Sequence, residues 1–261
     1  MPSSEPPEPP SRSIHDRATG RDALLAFLLV GVLVALLIQI NVTLPGIGHL
    51  GGALVAVLFL YATVFFAWLR REDLDAYGFH LEPRKRGLVF AGVVFGVVFP
   101  LFAVGYVAFY QLLCHSSLSW IMKSQCGGFH GLDGIHAPIV SLLETAAKNT
   151  FSLEFCAVQL VVVALPEELF FRGFLLGLLE RRFPPRRRVL GGGIGLALVL
   201  SSLTFALVHV PKAGNPLDLA TFFPGLLFGW MRSATGSILA STLSHAGSNV
   251  LVRLLDLTVL R

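Results

Sequence analysis

Helical runs of about 20 apolar residues are what a hydrocarbon core about 30 Å thick demands of a chain that crosses it. Stretches of that kind recur here, at 23–40, 50–69, 88–113, 151–179, 189–209, 217–231 and 237–255. Lipid offers backbone N–H and C=O groups no partner, so each run has to satisfy its own hydrogen bonds as a helix. The expected fold is all-α, a polytopic transmembrane helix bundle of seven spans. It becomes eight if 139–148, too short to cross and holding Glu144, enters the membrane as an interfacial or re-entrant helix.

Hydrophobic residues make up 54% of the chain and charged residues 14%, against roughly 25% charged in soluble domains, so no soluble core absorbs this apolar excess. The formal charge of +4 would suit nucleic acid, but the basic residues sit at the ends of hydrophobic runs. Their expected partner is anionic lipid. Residues 1–21 form a polar, Pro-rich tail with little apolar surface to bury, expected to be disordered, and no signal-peptide cleavage site interrupts the first run. Residues 22–261 then form one transmembrane domain without an internal repeat.

Arg70, Arg71, Arg84, Lys85 and Arg86 crowd one loop, and Arg181, Arg182, Arg186, Arg187 and Arg188 another, which places both in the cytoplasm. The 41–49 loop has no Lys or Arg and fits the opposite side, so the N-terminus with Arg12, Arg17 and Arg21 is cytoplasmic too. Cys114 and Cys126 share a polar loop. They are a disulfide if that loop is extracytoplasmic and two loop thiols if it is not.

Ionisable residues at membrane depth are rare and costly, which makes each a candidate for function. Glu167 and Glu168 lie in the middle of the run 151–179, just after Pro166. On a helix Glu168 and Arg172 share a face, whereas Glu167 is turned about 100° away. Glu168 is thus the ion-pair partner of Arg172, and Glu167 is the candidate general base. Phe205 and His209 are again four apart, so the ring can hold the imidazole. His245 and Asn249 repeat that spacing around small residues; they either fasten helices together or aim donors at an oxyanion.

Glu-Glu-x-x-x-Arg, Phe-x-x-x-His and His-x-x-x-Asn, in this order on successive helices, resemble the CAAX-protease and bacteriocin-processing family across 151–255. The resemblance implies an intramembrane endopeptidase acting on a membrane-anchored protein or peptide. Glu167 and His209 would activate a water, His245 and Asn249 would stabilise the oxyanion, and Glu168, Arg172 and Phe205 would support them. The family's eukaryotic branch trims prenylated C-termini, and its bacterial members process sorting tags and peptide leaders, which suits a bacterial inner membrane.

Two other readings use the same residues. Glu167, His209 and His245 could bind zinc, but zinc sites usually hold two ligands on one helical turn and these come from three helices, so no cofactor is expected. A proton-coupled transporter could also use buried Glu and His, yet such folds carry repeated halves.

Overall fold

The computed structural model describes residues 14–44, 48–117, 119–129, 153–213 and 216–259. The tail 1–13 and the candidate re-entrant segment 139–148 lie outside the described residues.

Helices α1 (Ile14–Leu37), α2 (Leu50–Arg70) and α3 (Arg84–Cys114) are inside-out by soluble standards. Along α1 the buried stripe is Ala23, Ala26, Val30 and Val34, while Leu24, Leu28 and Leu36 are half exposed or more. Small residues facing the bundle and large ones facing out is the pattern of helices whose outer solvent is lipid. Helix α1 begins at Ile14 and buries Thr19.

The C-terminal half contributes α4 (153–182), α5 (Leu196–Ala213), α6 (Phe222–Thr235) and α7 (Leu239–Val259). Of the seven expected spans, those at α1, α2 and α3 are long and apolar enough to cross a membrane. The others fall short on length or polarity: α6 rises only about 21 Å, and α4 carries Glu167, Glu168 and Arg172 at its centre. The span expected from Val189 does not begin there. Arg187–Val189 (β3) and Gly192–Ile194 (β4) instead pair as an antiparallel hairpin, held by Trp230 Nε1 donating to the Val189 carbonyl at 2.9 Å, and α5 starts at Leu196. A second hairpin pairs Thr43–Leu44 (β1) with Gly48–His49 (β2) between α1 and α2.

Helix α4 runs through the middle of the bundle. Phe170, Phe171 and Phe174 are fully buried, and Phe171 meets Phe59 and Phe205 edge-on with ring centroids 5.2 Å apart in both pairs. Gly173 lets a loop close on the helix, since a Cβ there would fall 2.6 Å from the Tyr77 carbonyl oxygen.

At the basic end of the bundle, Arg70 pairs with Asp22 at 2.6 Å, Arg181 donates to Glu72 at 2.7 Å, and the Tyr77 hydroxyl also donates to Glu72. Burial alone would raise the Glu72 carboxyl, but Tyr77, Arg181 and Arg70 outweigh it and hold it below the usual carboxylate value. At the opposite end Cys114 and Cys126 are joined by a disulfide.

Candidate active site

The centre of α4 is not wound as one α-helix. Val158–Ala164 and Leu169–Leu175 are π-helical and enclose the short α-helical turn Leu165–Glu168. Pro166, which has no N–H to donate, sits in that turn, and π winding commonly marks functional sites. The two carboxylates in the turn then part company, as their angular separation requires.

Glu168 turns inward and is fully buried. Its Oε1 lies 2.9 Å from Arg172 Nη1 and 2.9 Å from His245 Nδ1. The guanidinium, itself buried, lies over the Phe205 ring with Cζ 3.8 Å from the centroid. It leans on Glu168 as a charge more than through an aligned hydrogen bond, for no N–H of Nη1 points at the oxygen.

Glu167 faces the other way. Its Oε2 is 3.7 Å from His245 Nε2 and 3.9 Å from His209 Nε2, too far for hydrogen bonds, and among the described residues it has no hydrogen-bond partner. A buried carboxylate oxygen left like this calls for an explanation.

Both imidazoles are fixed in orientation. His209 Nδ1 lies 2.7 Å from the Phe205 carbonyl, an acceptor only, so Nδ1 carries the proton and Nε2 turns to Glu167. Phe205 holds the ring edge-on at 4.6 Å, as its spacing anticipates. His245 donates from Nδ1 to Glu168 and stacks on Phe228 at 5.5 Å, which again leaves Nε2 toward Glu167. Gly247, between His245 and Asn249, brings α7 close to α3: a Cβ there would lie 2.5 Å from Phe95 Cζ.

One member of the site escapes the motif reading. Gln159, about two turns before Glu167, accepts a hydrogen bond from Asn249 Nδ2 at 3.0 Å. Its signal in the sequence is a polar residue in the first half of the run 151–179, but the spacing of an ideal helix does not align it with Glu167.

Glu167, His209, His245, Asn249 and Gln159 all line one cavity of about 850 Å³ whose remaining wall is mostly apolar, with Phe99, Phe102, Phe223 and Leu227 prominent. A second cavity of about 390 Å³, between α2 and α4, meets the first at Gln159, Val163, Glu167 and His209.

The donor set is more widely spaced than zinc ligands are. A tetrahedral ion bound at about 2.0–2.1 Å sets neighbouring donors about 3.4 Å apart, less than the 3.7 and 3.9 Å found here. Among the described residues no group of three His, Cys, Asp or Glu side chains is arranged to hold a metal.

No curated protein and no solved structure gives a match to the chain. Residues 149–251, which include Gln159, Glu167, Glu168, Arg172, Phe205, His209, His245 and Asn249, match the family model for type II CAAX prenyl endopeptidase Rce1-like. Over those residues the chain is similar to the type II CAAX prenyl endopeptidases, in agreement with the motif resemblance.

Proposed function

We propose that the chain hydrolyses a peptide bond of a membrane-anchored protein with a water activated by Glu167 and His209. The observation that carries this reading is the unpartnered Glu167 Oε2, buried at the base of the cavity and facing two imidazole nitrogens across 3.7 and 3.9 Å. A water about 2.8 Å from both Glu167 Oε2 and His209 Nε2 would subtend an angle of about 90°, close to what its two hydrogens need. It would donate one hydrogen to each and present a lone pair to a carbonyl carbon.

On attack, the water oxygen bonds to the carbonyl carbon and Glu167 takes its proton. The carbonyl oxygen, now an oxyanion, receives the second N–H of Asn249, whose first is occupied by Gln159. His245 contributes from Nε2 when it is an imidazolium, because its Nδ1 proton is committed to Glu168. Glu167 then returns the proton to the leaving nitrogen as the C–N bond breaks. The apolar cavity wall suits a substrate segment delivered with its lipid or membrane anchor.

The test is comparative terminal peptidomics of membranes from cells carrying the wild-type protein or Glu167→Gln. Termini that disappear with the isosteric change identify substrates, and indistinguishable termini in the two strains would overturn the reading.

A zinc hydrolase is the second reading, favoured by the Glu168–His245 bond, since metal-ligating histidines commonly donate their other N–H to a carboxylate. When bound, zinc would be held by Glu167, His209 and His245 and would supply Lewis acidity. Purified protein is expected to contain no stoichiometric zinc by elemental analysis. One equivalent lost on chelation together with turnover would reverse the choice.

A further inference from the structure

The active-site cavity occupies only one end of the bundle. On α7 its lining begins at His245 and ends at Asp256, about 16 Å further along the axis, with nothing from the first six residues of the helix. On α6, which runs the other way, the lining stops at Phe228, and on α4 it stops at Glu167. The second cavity obeys the same rule, taking Val34 near the end of α1, Ile38 just beyond it, His49 of β2 and Gly52 at the start of α2. On the far side of Glu167 the bundle is closed: Leu169, Phe170, Phe171, Arg172 and Phe174 are each at most 1% exposed.

The two ends differ in chemistry. The closed end carries Arg70, Arg84, Arg86 and Arg181 beside the β3–β4 hairpin, where Arg86 Nη2 donates to the Leu190 carbonyl at 2.7 Å. The first residues of α7 belong to this end, because Ile238 N–H donates to the Gly78 carbonyl at 3.0 Å. The open end carries the Cys114–Cys126 disulfide at the far terminus of α3, and Tyr106, two turns before that disulfide, donates to Asp256 at the cavity's edge. Clustered arginine marks a cytoplasmic end, and a disulfide marks an oxidising compartment. The two signals are independent and agree.

We infer that the catalytic cavity opens to the extracytoplasmic side and is sealed from the cytoplasm by the aromatic plug of α4, so that the substrate is an exported protein attached to the outer leaflet. The substrate part rests on the protease reading, whereas the direction of opening does not. Water reaches Glu167 from the same side, through either cavity.

The test replaces the free Cys156 with Ser and places single cysteines at Ala220, an exposed residue of the cavity wall, and at Arg187, exposed in β3. An impermeant maleimide is applied to intact spheroplasts and to inside-out vesicles. Ala220→Cys is expected to react in spheroplasts only and Arg187→Cys in vesicles only, with the same pattern in a Glu167→Gln background, where turnover plays no part. Reaction of Ala220→Cys from the vesicle side, or from neither side while Arg187→Cys reacts, would overturn the inference. Termini lost in Glu167→Gln cells should fall on exported segments. If they fall on cytoplasmic segments while Ala220→Cys still reacts from outside, the substrate assignment fails and the opening stands.

Discussion

Arg172→Met strips a guanidinium from beside two buried carboxylates. Arg172 and Glu168 have side chains 1% and 0% exposed and lie 2.9 Å apart, so the loss strands charge where water cannot reach it. Breaking a buried pair from one side costs about 3–5 kcal/mol, and the lost stacking on Phe205 adds up to about 2. The sum, about 3–7 kcal/mol, is comparable to the whole stability of a typical folded domain, about 5–15 kcal/mol. For a chain of this size each kcal/mol moves the melting temperature by about 2–4 °C, so the expected drop is roughly 6–28 °C. Glu168→Gln strands the guanidinium and should also destabilise. Glu168→Gln/Arg172→Met removes both charges and should recover at least half of the Arg172→Met loss, because a neutral replacement of a buried pair is often tolerated. Melting curves in detergent, with the folded fraction counted by size exclusion, read all four proteins. Single variants melting within about 2 °C of wild type, or a double-variant loss equal to the sum of the singles, would refute the reasoning.

Glu167→Gln and His209→Ala should each lower kcat by about 100-fold to 10,000-fold in a purified cleavage assay with little change in melting temperature, and retained turnover in either would sink the mechanism. Asn249→Ala should lower kcat per folded molecule by roughly 100-fold to 1,000-fold with KM nearly constant. Gln159→Leu should have a smaller effect of the same kind, restored by Gln159→Glu, which keeps the acceptor; normal turnover in Gln159→Leu would make that contact structural only. Because the Glu72 carboxyl lies below its ordinary value, it stabilises the fold above the unfolded-state value of about 4.5, and that contribution is lost as pH falls through the lower, folded one. Glu72→Gln should therefore melt below wild type at neutral pH and converge on it in acid, and a constant difference at every pH would contradict the linkage.

Contacts within one helix were legible in the sequence and contacts between helices were not. Four-residue spacing brought Glu168 to Arg172 and Phe205 to His209, because neighbours on a helical face are fixed by local geometry alone. The bonds that assemble the site join Glu168 to His245 and Asn249 to Gln159, 77 and 90 residues apart, and no local period encodes them. The π winding of α4 is equally hidden, although Pro166 hints at it. Hydropathy also misled where it was counted without turn chemistry: Val189, Leu190 and Ile194 read as the start of a span, yet Gly191, Gly192 and Gly193 between them turn the chain into the β3–β4 hairpin. The cysteine pair stayed open because bridging follows compartment, which spacing does not state.

Adjacent carboxylates on a helix face directions about 100° apart, and this site uses that angle to separate a structural charge from a reactive one. Glu168 is spent on Arg172 and His245 at once, through a single oxygen. The same atom therefore sets both the stability of the bundle and the orientation of an imidazole that faces Glu167. This coupling makes the double variant more informative than either single one. Glu168→Gln/Arg172→Met should fold better than Arg172→Met, since it leaves one buried carboxylate where the single variant leaves two, but a glutamine amide gives the His245 Nδ1–H a weaker, neutral acceptor. A less firmly held imidazole keeps Nε2 less well aimed at an oxyanion, so the folded double variant should turn over slowly. A double variant both stable and fully active would mean that the Glu168–His245 bond does not position the imidazole for catalysis and that Asn249 alone meets the developing charge.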